Sequence, residues 1–356
     1  MERTDAPDVG LQNRSVRQIY GSGPLLQIKN LQTHFFTREG VVQAVDGASF
    51  EVQPGQTLGI VGESGCGKSV AAKSILQIVD RPGRIVGGEI LYTYPDASGH
   101  LSQIDLLTLP YDSAEMRSIR GGEISMIFQE PMSSFSPVHT VGNQLVEAIR
   151  LHTDLRGVAA QEAAVEWLTR VGIPNPVQRL SEYPTQLSGG QCQRAMIAMA
   201  LSTNPRMLIA DEPTTALDVT TQAQILNLLQ RLQTEHGMAM IFITHDLGVI
   251  AELVDEVAVM YLGKVVEKAP VGELFTNPKH PYTQALLTSM PRLHTRPRER
   301  LPSISGSIPH PHNRPPGCSF HPRCPAFMPR KCDCQEPQLA SVAKNHEASC
   351  FLYPGC

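Results

Sequence analysis

The run Gly62-Glu63-Ser64-Gly65-Cys66-Gly67-Lys68-Ser69 has the spacing G-x-x-x-x-G-K-[ST]. Glycines let successive backbone N–H groups turn inward around a phosphate, and a helix opening behind them adds partial positive charge. In such a loop Lys68 reaches the β- and γ-phosphates of a nucleotide, and the Ser69 hydroxyl ligates Mg²⁺. A glycine-rich turn that matches by chance is the bland alternative. The flanks argue against it, because an apolar run at 57–61 precedes the loop and a helix-like run at 69–79 follows. A second chemical pair, Asp211 and Glu212, ends the apolar run 207–210. In an open parallel sheet ligands bind at the carboxyl ends of the strands. There Asp211 can hold Mg²⁺ directly or through water, and Glu212 can orient the water that attacks a γ-phosphate. Taken alone, two acids after a strand read equally well as a helix N-terminal cap. With a phosphate loop in the same sheet, the catalytic reading prevails.

Leu187-Ser188-Gly189-Gly190-Gln191 offers a helix N-cap followed by glycines that expose N–H groups. It is a second anion site in one chain. Paired with the first loop, it suggests that the loop of one chain and the Ser-Gly-Gly of another clamp the same nucleotide, which requires a dimer. His245 follows the expected strand 238–244, and Gln129 follows the expected strand 123–128. At the same strand edge, His245 can meet the γ-phosphate, and the Gln129 amide can reach Mg²⁺ or the attacking water. Pro131 marks a chain break that could hinge. A lone histidine is more often structural, and Asp218 reads equally as a helix N-terminal acid.

These residues need an α/β scaffold. Strands are expected at 25–31, 41–45, 48–52, 57–61, 123–128, 207–210, 238–244 and 256–261, with a hairpin or edge strands at 83–94. Helices are expected at 141–152, 161–171, 188–201 and 220–235. The alternation predicts a mainly parallel sheet covered on both faces. Residues 1–24 read as a flexible extension. Of the 356 residues 41% are hydrophobic and 18% charged, with 30 basic and 34 acidic side chains. That near-balance excludes a chain-wide nucleic-acid binder and a disordered polyelectrolyte. No apolar run approaches the roughly 18 residues of a membrane span. Met1-Glu2-Arg3-Thr4-Asp5 opens no secretory signal, so a cytosolic chain is expected. Its eight cysteines then read as thiols or metal ligands rather than disulfides.

Composition shifts at Pro291. Residues 291–332 hold ten prolines, eight Lys/Arg and one acidic residue. These charges could balance an anionic cluster, lie near acidic lipid, or simply be solvated. Cys318, Cys324, Cys332 and Cys350 are spaced C-x5-C-x7-C-x17-C. Four thiolates on loops can hold zinc or a [4Fe–4S] cluster, and spacing alone does not choose. The lack of a tight C-x2–4-C pair disfavours a zinc ribbon, and unliganded loop cysteines are the bland alternative. Cys66 and Cys192 read as small spacers in phosphate-binding elements.

The ordered set resembles the nucleotide-binding subunit of an ABC transporter over about residues 28–268. By resemblance, the loop 62–69 is the Walker A motif, Gln129 the Q-loop, and Leu187–Gln191 the signature. Asp211 and Glu212 are Walker B with its catalytic glutamate, Asp218 lies in the D-loop, and His245 is the switch histidine. The resemblance implies an ABC ATPase domain over 25–268, with a RecA-like core, an antiparallel β subdomain and a helical subdomain at about 136–185. It also implies an aromatic ring stacking on adenine, for which Phe35 is the candidate and Phe36 a second. His280-Pro281-Tyr282-Thr283-Gln284 and the segment Pro315 to Pro325, with Cys318 and Pro322-Arg323-Cys324, are similar to the C-terminal extension of peptide-importer ATPases of the D type. That gives the extension the range 269–356. The family then implies ATP hydrolysis that energises import of di- or oligopeptides, or related small solutes. Implied partners are a homologous F-type ATPase that completes the ATP sites, two membrane permeases and, indirectly, an extracytoplasmic solute-binding protein. No nucleic acid is implied, and the expected location is peripheral, on the cytoplasmic face of the inner membrane. Some D-type subunits carry a [4Fe–4S] cluster on this cysteine pattern, which favours iron–sulfur over zinc. The offset to Pro337 favours Cys332 over Cys334. The rival class is a soluble ABC ATPase of DNA repair or translation. Translation factors of that type carry two cassettes and repair ATPases long heptad coiled coils; one motif set and no such heptads occur here. A redox-sensing role for the cysteines could coexist with transport.

Overall fold

The computed structural model describes residues 23–95, 100–215, 217–290, 304–310 and 312–356. The extension expected at 1–24 therefore lies outside the described residues, apart from its last two, as does the basic stretch 291–303.

The chain opens with β1 (Leu26–Thr37) and β2 (Gly40–Val52), two long antiparallel strands where three short ones were expected. Register shifts between Ile28 and Leu31, and again near Thr33, carry each strand through a bend. Bulges of this kind break the period-2 pattern, so one bent strand reads as two pieces. β3 (Thr57–Val61) crosses to a second sheet, and the helix Lys68–Ile75 follows the phosphate loop. β4 (Gly83–Pro95) is a single strand on the free edge of β1, and its hairpin partner is β5 (Leu101–Asp105). The first sheet is thus antiparallel, in the order β2-β1-β4-β5.

The second sheet takes β6 (Ile124–Ile127), β7 (Met207–Asp211), β8 (Ala239–Ile243), β9 (Glu256–Tyr261), β10 (Lys264–Pro270), β11 (Ala340–Ala343) and β12 (His346–Ala348). Its order is β11-β12-β10-β9-β3-β8-β7-β6. The run β9-β3-β8-β7-β6 is parallel. Every residue of β3, β6, β7 and β8 is buried, which is why these segments read as mostly apolar, Ser125 in β6 and the end residues Thr57 and Asp211 being the polar exceptions. One apolar cluster lies on the side of the helices Val141–His152, Gly157–Arg170, Gly189–Leu201 and Val219–His236. The other lies between the two sheets and includes the helix Lys68–Ile75. The parallel strands end together, so Gly62, Gln129, Glu212 and Thr244-His245 leave the sheet at one edge.

The C-terminal segment is built into this core. β12 pairs with β10, and Tyr282 and Phe320 belong to the helix-side cluster. Buried Glu267 on β10 accepts the N–H groups of Lys279 (2.6 Å) and His280 (2.8 Å), and its Oε1 lies 2.7 Å from His346 Nε2. Arg314 donates to Asp46 (2.7 Å) and to the Gln43 carbonyl (2.6 Å) on β2. Among the described residues, no helix is long and apolar enough to cross a membrane.

Candidate active site

The phosphate loop is held by close backbone approaches. At Gly62 (φ +155°) a Cβ would lie 2.2 Å from the Met260 carbonyl oxygen, and at Gly67 (φ +103°) 2.3 Å from that of Ala44. No other residue fits either position without displacing a neighbouring backbone. Ser64 and Gly65 form the exposed crest. Lys68 is buried, and its Nζ donates to the carbonyls of Gly62 (2.8 Å) and Glu63 (3.2 Å). Cys66 is buried beneath the loop with Sγ 3.8 Å from Lys68 Nζ, and burial pushes its thiol up, against the pull of Lys68.

Ser69 Oγ donates to Asp211 Oδ1 at 2.9 Å. The first helix turn after the loop and the end of β7 thus bring a hydroxyl and a carboxyl together. Burial raises the Asp211 carboxyl above the usual carboxylate range, partly offset by the Ser69 hydrogen bond. A hydroxyl and a carboxylate in contact form a suitable partial ligand set for Mg²⁺, which keeps several waters and takes further oxygens from phosphates.

Glu212 sits one residue further, with φ +45°. The left-handed region is costly for a glutamate, and such strain persists where the surroundings fix it. Here the Glu212 N–H is tied to the Ile243 carbonyl (2.9 Å). Its Oε2 accepts from Gln129 Nε2 (3.0 Å) and Thr215 Oγ1 (2.9 Å), and lies 3.4 Å from His245 Nδ1. Three loops leaving β6, β7 and β8 thus meet at one carboxyl oxygen. Thr215 was not anticipated from sequence. Its only signal is its place three residues after Glu212, in a turn where its N–H also donates to the Glu212 carbonyl (3.1 Å).

Ser188 caps the helix Gly189–Leu201 reciprocally: its Oγ accepts from Gln191 N (3.3 Å), and its N–H donates to Gln191 Oε1 (3.0 Å). Ser188 and Gly189 are exposed. A Cβ on Gly190 would lie 3.1 Å from Thr221 Cγ2. Thr221 is in turn held by Asp218, which accepts from its N–H (3.0 Å) and hydroxyl (2.6 Å). Asp218 is therefore the N-cap of the helix Val219–His236, and these bonds hold its carboxyl below the usual range. On β1, the Phe35 ring edge comes within 2.9 Å of where a Cβ on Gly83 would be, and Arg84 lies over the Phe36 ring (5.6 Å).

The C-terminal segment reaches the loop at Glu63. The Glu63 N–H donates to Tyr282 Oη (2.8 Å), and Arg323 grips both carboxyl oxygens, at 2.6 Å and 3.0 Å. Both residues stood in quoted sequence motifs, but nothing in those motifs linked them to the loop.

Cys318, Cys324, Cys332 and Cys350 are close enough for their charges to act on one another. Burial pushes Cys318 and Cys350 up to about 11, and the neighbouring thiols add to the rise. The Cys318 N–H donates to the Cys332 carbonyl (2.8 Å). Cys332 is buried and Cys334 exposed. Among the described residues, no group of three or more His, Cys, Asp or Glu side chains is arranged to hold a metal ion.

The ABC transporter family profile matches residues 45–215, and the profile for the oligopeptide/dipeptide transporter C-terminal region matches 266–332. A putative peptide import ATP-binding protein of Brucella melitensis is 50% identical over 336 residues, covering 93% of this chain and 97% of the relative. The chain belongs to the ABC transporter ATP-binding subunits of the oligopeptide/dipeptide type. The oligopeptide transport ATP-binding protein AppD of Bacillus subtilis is 46% identical to this subunit over 92% of the chain and 97% of AppD. The dimeric ATP-binding cassette MJ0796, solved in a post-hydrolysis state bound to ADP and Pi, superposes with a TM-score of 0.59 at 27% identity. It covers 69% of the subunit and 98% of that cassette. The subunit is thus an ABC ATPase, and the soluble repair or translation class is not favoured.

Proposed function

We propose that this ATPase powers import of di- or oligopeptides, or related small solutes, from the cytoplasmic face of the inner membrane. The observation that carries the catalytic part is the convergence on Glu212 Oε2 of Gln129, Thr215 and His245, beside the Ser69–Asp211 contact. In this reading the N–H groups of 62–69 and Lys68 bind the phosphates. Ser69, Asp211 and Gln129 would hold Mg²⁺, which when bound would supply positive charge to offset that developing on the phosphoryl oxygens. Glu212 orients the attacking water and draws its proton, and His245 contacts the γ-phosphate. Phe35 stacks on adenine.

The segment Ser188–Gln191, exposed at Ser188 and Gly189, and the exposed Asp218 would face the phosphate loop of a homologous F-type subunit, so that each nucleotide would lie between two chains. Two permeases would dock on the region 136–185 and the Gln129 loop. Val138 and Val177 there are 72% and 71% exposed, which suits an apolar contact. An extracytoplasmic binding protein would deliver the solute and never meet this chain. Peptide cargo rests on the names of the relatives, and the extension read at 269–356 is supported over 266–332 by the family match. Cys318, Cys324, Cys332 and Cys350 would hold a [4Fe–4S] cluster with a structural role. The test is to tag the chain, extract it anaerobically in mild detergent, identify what co-purifies, and assay iron and acid-labile sulfide. Two permeases, a second ATPase and about four irons per chain are expected. Recovery with ribosomes or DNA instead would overturn the importer, and iron-free protein from anaerobic cells would overturn the cluster.

A further inference from the structure

We infer that Arg323 and Tyr282 of the C-terminal segment are positioning residues for the ATP phosphates, acting through Glu63 of the phosphate loop. Glu63 is held at its N–H, its carbonyl and its carboxylate. Its N–H donates to Tyr282 Oη (2.8 Å), and its carboxyl oxygens take both arms of the Arg323 guanidinium (2.6 and 3.0 Å). Its own carbonyl accepts Lys68 Nζ (3.2 Å) and the Cys66 N–H (3.2 Å). A shift of residue 63 therefore moves the lysine ammonium that must meet the phosphates.

The anchors themselves are rigid. The Arg323 side chain is 3% exposed. Its Nε donates to the Ser305 carbonyl (3.1 Å), and its guanidinium lies over the rings of Tyr261 (5.8 Å) and Phe320 (6.0 Å). Tyr282 is buried, with its ring 4.7 Å from that of Tyr261 and 5.4 Å from that of Phe320. A planar fork fixed on both sides has little freedom left to lose when it binds a carboxylate. Such fixed contacts pre-organise a loop, and pre-organisation lowers the cost of ligand binding.

The bland alternative is that Arg323–Glu63 merely fastens the C-terminal segment to the core. That fastening is already supplied elsewhere, by Glu267 with Lys279, His280 and His346, and by Arg314 with Asp46. Arg323 does something those contacts do not. It compensates a carboxylate within the loop that must receive a polyanion. Without it, the Glu63 charge would repel the incoming phosphates.

This predicts an unequal pattern in variants of the full chain, read by ATP titration and by steady-state ATPase in the purified complex. The inference rests on the ATP site and not on the cargo, so it stands or falls independently of peptide import. Arg323→Ala should weaken ATP binding and raise KM roughly tenfold, with kcat within about twofold because the attacking water is not touched. Glu63→Gln should cost less. The double variant Arg323→Ala/Glu63→Gln should bind ATP better than Arg323→Ala alone, since the uncompensated charge is gone. Should Arg323→Ala fail to fold, Arg323→Lys and Tyr282→Phe carry the test, each expected to raise KM severalfold. Unchanged ATP affinity in these variants, with only a lower melting temperature, would overturn the inference. So would a double variant no better than Arg323→Ala.

Discussion

At the scale of single residues, the site's chemistry is concentrated on two side chains with different tasks. Lys68 carries charge to the phosphates, and its present partners are backbone carbonyls that a phosphate can outcompete. Lys68→Ala should therefore weaken ATP binding by about tenfold or more, the worth of a charged hydrogen bond, as read by equilibrium titration. Glu212 is different. Its left-handed backbone and its convergent partners fix a carboxyl oxygen where a water can be polarised. Glu212→Gln retains the shape and the contact with Thr215 but removes the base. ATP affinity should stay within a few-fold of native, while turnover drops by at least about a hundredfold. Normal turnover in that variant would move the base to another residue. The contrast between the two variants, binding lost in one and chemistry lost in the other, separates the roles of the β3 and β7 edges.

At the scale of elements, what the sequence made legible follows from burial. β3, β7 and β8 are covered on both faces, so their apolar runs and the chemical residues that end them stand out. The Walker-type loop is legible because its glycines, lysine and serine are contiguous in the sequence, even though the approach that requires Gly62 comes from distant Met260. β1 and β2 were legible only in pieces, since bulges break their alternation. The clamp on Glu63 was not legible at all, because Arg323 lies 260 residues away and a single long-range ion pair leaves no periodic trace. The helix Pro281–Thr288 gives the element-scale prediction. It is capped by His280, whose Nδ1 accepts the Tyr282 N–H (3.1 Å). Burial pushes the His280 imidazole down to about 3, from an ordinary value near 6.5. Unfolded chains take up this proton below about pH 6.5, while the native chain resists it until about pH 3. The stability it contributes is therefore complete above pH 6.5 and is lost as pH falls, at about 1.4 kcal/mol per pH unit. His280→Asn keeps a cap acceptor and removes the titration. The fall in melting temperature between pH 6.5 and 5 should be shallower in the variant; an unchanged slope would mean that His280 is not held neutral.

At the scale of the whole molecule, half of the anion-binding machinery faces outward. The Glu212 cluster and the Ser69–Asp211 pair are closed by contacts within the chain, but Ser188 and Gly189 are exposed at a capped helix start. Asp218, the cap of the neighbouring helix, is exposed on the same chain, as is Val219 beside it. The C-terminal segment, in contrast, is committed inward, to β10 and to the phosphate loop. This division predicts that nucleotide binding is a property of one chain and hydrolysis a property of two. Gly189 allows the two to be separated. Among the described residues outside its own helix turn and chain neighbours, no atom lies within 4 Å of where its Cβ would be, so there is open space for a side chain to start. An acid in the first turn is also compatible with the helix dipole. Gly189→Asp should therefore fold as native and bind ATP as native in the isolated chain. In the assembled ATPase the new carboxylate would face the γ-phosphate bound to the other subunit and repel it, and turnover should fall at least about tenfold. Full ATPase activity of the assembled Gly189→Asp variant would mean that the exposed Ser-Gly-Gly never meets a nucleotide, and the two-chain site would have to be abandoned.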